Sequence, residues 1–381
     1  MSDWKIPLYK IQTDEQDLKQ VTQVIKRGMD WAIGPEILNF EHALANYVNC
    51  DYCVVFNSGT SAQHASLLAI GINPGERVIV PSFTFISTAN SVLMVNGKPD
   101  FSDIEEITLG LDPLSVEKTI TKKTKVIMPI HYAGAACKIK EICELADEKK
   151  ITVIEDAAES LGSEINKKKI GTFASMGIFS FAGNKVLTTG EGGAVVTNSK
   201  NLFEKLKLIR SHGRRESENY FQSNIKPNYV SLGYNWRMSS ITAALGMSQL
   251  TKLDKLISMR RKNAMYLSSK LKNFQDISVP QEHGYKHVYQ LYSIRLKNKK
   301  TRDNLMKFLS QKGIMSKIYF DPVHKTPYYK KLGYSKINLP VTQKISEQIL
   351  SLPMYPDLKR EEMDYVCDSI KEFFRNTSNQ K

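Results

Sequence analysis

Short, nearly continuous apolar runs alternate with segments of helical periodicity between residues 52 and 181. Runs of this kind are typical of strands that helices cover on both faces of a sheet. Their alternation with helical segments indicates βαβ units and a mostly parallel sheet. The clearest predicted strands are Tyr52 to Phe56, Arg77 to Val80, Lys125 to Ile130 and Ile151 to Glu155. The chain is therefore expected to form an α/β domain.

The alternation changes after the apolar run Ile178 to Phe181. A glycine-rich stretch leads from this run into Gly192 to Thr197 and leaves no room for a crossover helix. Because parallel neighbours need such a crossover, these two strands are expected to be antiparallel.

Helical patterns flank this region. A capping box at Thr13 to Gln16 predicts a helix that carries Leu18, Val21 and Ile25 on its apolar face and ends at Gly28. A long helix is predicted from Ser239 or Ser240 to about Lys272. We expect the domain boundary to lie within this long helix.

The predicted boundary separates a large α/β domain, residues 1–250, from a small C-terminal α+β domain, residues 251–381. The elements predicted in the small domain are strand Val288 to Leu296, helix Thr301 to Lys312, strand Ile314 to Phe320 and a helix around Glu361 to Phe374.

Charge and composition narrow the class of protein. The chain has 53 Lys and Arg against 39 Asp and Glu, a formal net charge of +14, without any signature of a nucleic-acid-binding module. An anionic surface and a polyanionic small substrate both stay open as explanations of the charge, whereas a dedicated nucleic-acid module is not expected. No apolar run is long enough for a membrane-spanning helix, and five scattered cysteines fit a reducing compartment. A cytoplasmic protein without a bound metal is expected.

Ligand sites in parallel α/β sheets lie beyond the carboxyl ends of the strands. One predicted strand is followed there by the small-residue turn Asn57 to Ser61 and then by a helix. The free N–H groups and the dipole at such a helix start favour a phosphate, although a tight turn alone also selects glycine and serine.

Two further residues are presented at the same edge. Asp156 follows the strand Ile151 to Glu155 and is either a helix cap or the partner of a protonated heterocycle. Lys185 follows the strand Ile178 to Phe181 and is either a surface lysine or a Schiff-base nucleophile. With a phosphate-binding turn and Phe83 or Phe85 to cover a flat ring, these are the parts of a pyridoxal phosphate site.

The ordered motifs along nearly the whole chain resemble those of the DegT/DnrJ/EryC/StrS family of sugar aminotransferases, which are fold-type I enzymes dependent on pyridoxal phosphate. The motifs that carry the resemblance are Asn57 to Ser61, Pro81 to Phe85, Pro129 to Gly134, Glu155 to Glu159, Ser180 to Gly193, Gly233 to Met238 and Leu350 to Pro353.

The resemblance implies that Lys185 and Asp156 are catalytic, with Lys185 joined to the cofactor aldehyde and Asp156 paired with the pyridine nitrogen. It implies that Phe85 stacks on the ring and that Asn235 reaches the phosphate of the other subunit in a homodimer with shared sites. The cofactor-binding residues expected from it are Gly59, Thr60, Ser61, Phe85, Asp156, Glu159, Ser180, Lys185 and Asn235.

The residues before the lysine, Ala182-Gly183-Asn184, differ from the His-Pro of many relatives and resemble perosamine-synthase-like 4-aminotransferases. We therefore expect transfer of the amino group of L-glutamate to a nucleotide-linked 4-keto-6-deoxysugar, with Arg237, His324 and Arg214 as candidate substrate-binding residues. The alternatives are amination at carbon 3 of a 3-ketosugar, or a non-catalytic basic binding protein that retains the fold.

Overall fold

The computed structural model describes residues 4–215, 224 and 226–378. The strands are β1 Tyr52–Phe56, β2 Arg77–Pro81, β3 Lys98–Ser102, β4 Thr124–Ile127, β5 Thr152–Asp156, β6 Glu164–Ile165, β7 Lys168–Lys169, β8 Met176–Ser180, β9 Gly193–Thr197, β10 Ile277–Ser278, β11 Tyr285–Lys286, β12 Tyr292–Leu296 and β13 Ile349–Leu352. The α-helices are α1 Glu15–Arg27, α2 Pro35–Val48, α3 Gly59–Ile70, α4 Ser87–Met94, α5 Pro113–Thr119, α6 Ile139–Lys149, α7 Lys200–Arg210, α8 Ser240–Thr251, α9 Leu253–Leu271, α10 Lys299–Gln311, α11 Pro327–Lys331, α12 Pro340–Gln348 and α13 Arg360–Ser378.

The central sheet has seven strands in the order β1-β9-β8-β5-β4-β2-β3. All pairs from β8 to β3 are parallel, whereas β9 is antiparallel to both of its neighbours. The expected antiparallel pair is confirmed, with Ser180 opposite Gly193 at one end of the register. The expected α/β class with a mostly parallel sheet is likewise confirmed.

The apolar runs form strands because both faces of the sheet are buried. Side chains alternate between the two faces with a period of two. Along β1, Val54 and Phe56 pack into one hydrophobic cluster and Cys53 and Val55 into another, and all four are buried. Helices supply the rest of each cluster. Within the described part of the chain, no helix is both long and apolar enough to cross a membrane.

The N-cap of the first helix lies one residue later than predicted. Asp14, rather than Thr13, is the N-cap residue, and the side chain of Asp17 completes the capping box. Gly28 ends the helix in the left-handed conformation, as the sequence indicates. Leu18 and Ile25 on the predicted apolar face are 61% and 46% exposed. This face therefore leaves large apolar side chains uncovered in a single chain.

The long helix predicted from Ser239 or Ser240 is interrupted at Lys252, which separates α8 from α9. The Lys252 ammonium lies 2.5 Å from a carboxylate oxygen of Asp17, which is buried, and 2.8 Å from one of Asp14. Much of a further hydrophobic cluster comes from α9, α10, β12, β13 and α13. The division at residue 250 stays a prediction.

Two predicted strands of the C-terminal part differ from the structure. The strand predicted to begin at Val288 is shorter, because β12 begins at Tyr292. Among the described residues, the segment predicted as strand Ile314 to Phe320 pairs only through isolated bridges, from Ile314 to Ile6 and from Lys317 to Ser351. The neighbour of β12 in the sheet is instead β13, with β10 on its other side.

Close backbone approaches bring the start of α3 against the ends of β8 and β9. A Cβ atom added to Gly193 would lie 2.5 Å from the carbonyl oxygen of Ser58, and one added to Gly59 would lie 2.9 Å from the Cβ atom of Ser180. Because only glycine permits these distances, both residues fix how the small-residue turn sits on the sheet.

We predict that Gly193→Ala lowers the melting temperature, since its methyl group meets backbone atoms that cannot move aside. Overpacking of this kind typically costs about 1–3 kcal/mol. Gly183→Ala is the matched control, because a Cβ atom there would find its nearest neighbour, the Gly190 carbonyl oxygen, at 3.9 Å. Thermal unfolding of both variants measures the difference, and equal melting temperatures would contradict the argument.

Candidate active site

A cavity of about 320 Å³ lies at the carboxyl ends of β5 and β8, where Asp156 and Ser180 line it. Segments distant in sequence contribute to its wall. The lining residues are Ser58, Gly59, Thr60, Gln63, Phe85, Ser87, Ile130, Asp156, Ala158, Glu159, Ser180, Ala182, Asn184, Lys185, Glu191, Lys317, Tyr319 and Phe320.

The Asp156 carboxylate is 2% exposed and is held by three donors. Its Oδ2 accepts hydrogen bonds from Gln63 Nε2 and Thr88 Oγ1, each at 2.8 Å. Its Oδ1 accepts one from the backbone N–H of Ala158 at 3.2 Å. Burial raises the pKa of Asp156, although the bonds from Thr88 and Ala158 and the positive charge of Lys185 act against the rise. The arrangement gives a buried carboxylate with one oxygen fully engaged and spare accepting capacity on the other.

Lys185 lies on the loop after β8, and its side chain is 14% exposed. Its Nζ lies 3.5 Å from Oε1 of Glu159, whose other oxygen accepts the backbone N–H of Ala133 at 2.8 Å. The loop is anchored from the C-terminal part of the chain, because Gln290 Nε2 donates to the Asn184 carbonyl oxygen at 2.7 Å. An amine is therefore presented to the cavity beside a fixed carboxylate.

The small-residue turn starts helix α3 at the cavity wall. Ser58 is the N-cap, and its Oγ accepts the N–H of Ser61 at 3.0 Å. The first N–H groups of a helix have no partner within it, and together with the helix dipole they favour an anion. Gly59, Thr60 and Ser180 line the cavity here. The Ser61 hydroxyl donates instead to Asn57 Oδ1 at 2.7 Å.

The two phenylalanines of the Pro81 to Phe85 motif have different environments. Phe83 is fully buried and packs against Tyr132 and Phe320. Phe85 is 57% exposed and lines the cavity. Of the two rings that the sequence left open, Phe85 is the one placed where it can cover a flat ligand.

Three predicted residues lie together outside this cavity. The side chains of Arg214 and Arg237 both donate to the Ser211 hydroxyl, at 3.4 and 3.3 Å. The backbone of Ser211 in turn bridges to Asn235, which is exposed. These residues therefore form one group rather than a wall of the cavity.

His324 also lies away from the cavity. It is fully buried, and its Nδ1 lies 2.6 Å from the Ser82 hydroxyl, which also accepts the His324 backbone N–H at 3.1 Å. Burial and the nearby Lys325 charge lower the pKa of His324 to about 4. Its contact with the sugar stays a prediction. In the structure of the single chain, the His324 side chain is buried and does not line the cavity.

Several cavity residues were missed in the sequence. Gln63, which lines the cavity, and Thr88, which does not line it but donates to Asp156, lie inside helical segments, where neither periodicity nor a motif marks them. Lys317 and Tyr319 belong to the segment that the sequence misassigned as a strand. A second cavity, of about 370 Å³, contains none of the predicted site residues. Among the described residues, no cluster of His, Cys, Asp and Glu side chains is arranged to hold a metal.

Comparisons with known proteins identify the family of this chain. Residues 11–371 match the DegT/DnrJ/EryC1/StrS aminotransferase family. GDP-perosamine synthase of Vibrio cholerae is 34% identical over 371 residues, which cover 97% of this chain and 99% of that protein. The aminotransferase PseC of Helicobacter pylori, involved in pseudaminic acid biosynthesis, superposes with a TM-score of 0.91 at 29% identity and covers 97% of this chain and 99% of its own. NtdA of Bacillus subtilis with bound cofactor PMP superposes with a TM-score of 0.85 at 29% identity. The match covers 95% of this chain and 82% of NtdA.

The cavity fits the cofactor that this family uses, pyridoxal phosphate. A Cβ atom at Gly59 would fill the space against Ser180, so the cradle at the helix start depends on that glycine. The donor set supplies what the other parts of the cofactor need: an amine for its aldehyde, a carboxylate for its ring nitrogen and an aromatic face for its ring.

We predict that borohydride reduction of the protein with pyridoxal phosphate labels Lys185. Imine formation requires an amine held beside the cofactor aldehyde, and reduction makes the bond permanent. Lys317→Ala is the matched control because Lys317 is a second lysine on the same cavity wall. Peptide mass spectrometry is expected to find the label in wild type and Lys317→Ala and to find none in Lys185→Ala. Label at Lys317 instead would refute the assignment.

Proposed function

The chain belongs to the DegT/DnrJ/EryC1/StrS aminotransferase family, and on that premise we propose that it transfers the amino group of L-glutamate to a nucleotide-linked 4-keto-6-deoxysugar. The observation that carries the proposal is the end-to-end similarity to a GDP-perosamine synthase, an enzyme named for a 4-amino sugar. The chain is a sugar aminotransferase dependent on pyridoxal phosphate; the nucleotide, the carbon atom and the amino donor are the proposed parts.

The positions of the predicted cofactor residues in the cavity wall support a role for each of them. Bound pyridoxal phosphate supplies an electron-withdrawing ring that stabilises negative charge on the carbon next to the amine. We assign the phosphate to the helix start at Gly59, Thr60 and Ser61 together with Ser180. We assign the ring nitrogen to Asp156, whose negative charge favours its protonated form.

Lys185 Nζ is the proposed proton carrier. Its loop holds it in the cavity wall, where a substrate bound to the cofactor would meet it, so that the same amine could take a proton and return it nearby. Glu159 lies 3.5 Å from this amine and keeps a negative charge beside it. The backbone N–H of Ala133 fixes the Glu159 carboxylate, so this charge stays in place while the lysine moves.

The loop before Lys185 supports a bulky acceptor. Gly183 has neither a left-handed φ angle nor a close neighbour, so the fold itself does not require glycine there. Gly183 lies between Ala182 and Asn184, which line the cavity, and we propose that its missing side chain and the small Ala182 leave room there. This room is what a sugar ring attached to a nucleotide needs.

Positive side chains support an anionic acceptor. Lys317 lies on the cavity wall, and Arg214 and Arg237 form the group around Ser211. Guanidinium groups bind diphosphates through paired hydrogen bonds. We propose that these cations serve the nucleotide-sugar diphosphate, with the two arginines acting on the site of the partner subunit. The five free thiols fit a cytoplasmic setting, where we place the reaction.

A homodimer with shared sites is also proposed. Asn235, Arg214 and Arg237 lie together but outside the cavity of their own chain, as residues that complete a partner's site would. Leu232, which lies near them in sequence, is 82% exposed, and Leu18 and Ile25 of α1 are exposed as well. Uncovered apolar side chains of this size are typical of surfaces that another chain covers.

We predict that the enzyme aminates carbon 4 of a nucleoside-diphosphate 4-keto-6-deoxyhexose. A panel of GDP-, UDP- and dTDP-linked 4-keto-6-deoxysugars, with 3-keto isomers as controls, is incubated with ¹⁵N-labelled glutamate. Mass spectrometry and NMR of the products locate the labelled nitrogen. Turnover of the 3-keto isomers alone would contradict the carbon 4 assignment and leave the cofactor roles intact.

We predict that two inactive variants restore activity when mixed. In a heterodimer of Lys185→Ala and Asn235→Asp chains, one of the two shared sites contains both the lysine and the asparagine. Co-expression with two affinity tags gives verified heterodimers, whose activity is expected to be a substantial fraction of wild type. The Asn235→Asp homodimer is the control. Heterodimers as inactive as either parent would contradict shared sites.

A further inference from the structure

The amide of Gln63 is buried in α3 at the wall of the cofactor cavity, 3% exposed. Its Nε2 donates to Asp156 Oδ2 at 2.8 Å. Its Oε1 is buried as well and finds no hydrogen-bond partner among the described residues. A buried carbonyl oxygen without a partner is costly, and an apolar side chain of the same size would carry no such oxygen. A glutamine at this position is therefore explained by its Nε2 group, which donates to Asp156.

The orientation of the amide follows from the charge of its neighbour. With the amide reversed, Gln63 Oε1 would face the Asp156 carboxylate oxygen at hydrogen-bond distance with no proton between them. Only the NH₂ group can face an ionised carboxylate there. The unpartnered Oε1 is thus the consequence of placing a donor on Asp156.

Thr88 provides the second donor to the same oxygen. Its Oγ1 donates to Asp156 Oδ2 at 2.8 Å and lies 2.8 Å from Thr84 Oγ1. Because the Thr88 proton is used on the carboxylate, the Thr84 hydroxyl donates to Thr88. Chained hydroxyls of this kind strengthen each other's hydrogen bonds. This chain of hydroxyl groups begins at Thr84, next to Phe85, in the segment that provides the aromatic face of the cavity.

The two carboxylate oxygens of Asp156 therefore differ in how many hydrogen bonds they accept. Oδ2 accepts two side-chain donors, one from α3 and one from α4, and has no lone pair to spare. Oδ1 accepts a single bond at 3.2 Å and keeps one lone pair. The other charged or titratable groups that act on Asp156 are Lys185 and His131, and both favour its ionised form.

We propose that Gln63 and Thr88 are positioning residues that hold Asp156 ionised and turn its Oδ1 toward the protonated ring nitrogen of the cofactor. The inference rests on the proposed pairing of Asp156 with that nitrogen. Without the two donors, the buried carboxylate becomes the stronger base, and the shared proton moves from the ring nitrogen to Asp156. The ring then loses the positive charge that makes it an electron acceptor.

The protonation of the ring nitrogen can be measured directly by ¹⁵N NMR of the protein loaded with pyridoxal phosphate labelled at that atom. The variants are Gln63→Leu and Thr88→Val, which keep the size of each side chain and remove its donor. Thr88→Ser keeps the hydroxyl. Gln249→Leu is the matched control, because Gln249 is also buried and donates to a buried aspartate, Asp17, at 2.9 Å far from the cavity.

Gln63→Leu and Thr88→Val are expected to move the ¹⁵N signal from the pyridinium position toward that of neutral pyridine. Loss of one hydrogen bond to a charged group is expected to change the proton equilibrium roughly tenfold or more. Thr88→Ser and Gln249→Leu are expected to keep the wild-type signal. Titration of the apoproteins with cofactor confirms that every variant still binds it.

The Asp156→Asn variant distinguishes failure of the positioning role of Gln63 and Thr88 from failure of the pairing of Asp156 with the ring nitrogen. If Asp156→Asn moves the signal but Gln63→Leu and Thr88→Val leave it unchanged, the positioning role is wrong and the Asp156 assignment stands. If Asp156→Asn itself leaves the nitrogen protonated, the pairing of Asp156 with the ring is wrong, and the positioning role falls with it.

Discussion

The buried carboxylate of Asp156 is the constraint on which the rest of the site depends. An ionised group that is 2% exposed is stable only if other groups supply the hydrogen bonds and charge that water would have given it. Here α3 contributes Gln63, α4 contributes Thr88, and the turn after β5 contributes the N–H of Ala158. Each of these elements begins at the carboxyl edge of the sheet, so satisfying one charge also fixes how the elements meet.

The same edge brings the remaining chemistry together. The start of α3 can approach β8 and β9 only because Gly59 and Gly193 lack side chains, and this approach sets the anion-binding turn beside Asp156. The loop that bears Lys185 follows β8 and is held by Gln290 of the C-terminal part. An amine, an anion cradle and a buried carboxylate thus share one cavity because they follow strands of a single sheet that run in the same direction.

Much of this arrangement was accessible from the sequence. Apolar runs predicted the parallel strands, since burial on both faces selects continuous apolar residues, and the position of Asp156 and Lys185 after such runs predicted their meeting. Strand β3 was missed because Pro99 and Asp100 interrupt its apolar pattern. The break at Lys252 was missed because the ion pair found there, between Lys252 and Asp17, leaves no periodic signal in the sequence. Gln63 was missed because a polar residue within a helix is normally exposed.

The most direct test of the account is the rate of amino transfer by Asp156→Asn, measured per folded, cofactor-loaded molecule. The account predicts a correctly folded protein that has lost roughly two or more orders of magnitude in rate, because an amide cannot hold the ring nitrogen protonated. A variant that unfolds more easily but keeps the wild-type rate per folded molecule would contradict it. Asp156 would then be a helix cap, and the chemistry would have to be assigned elsewhere in the cavity.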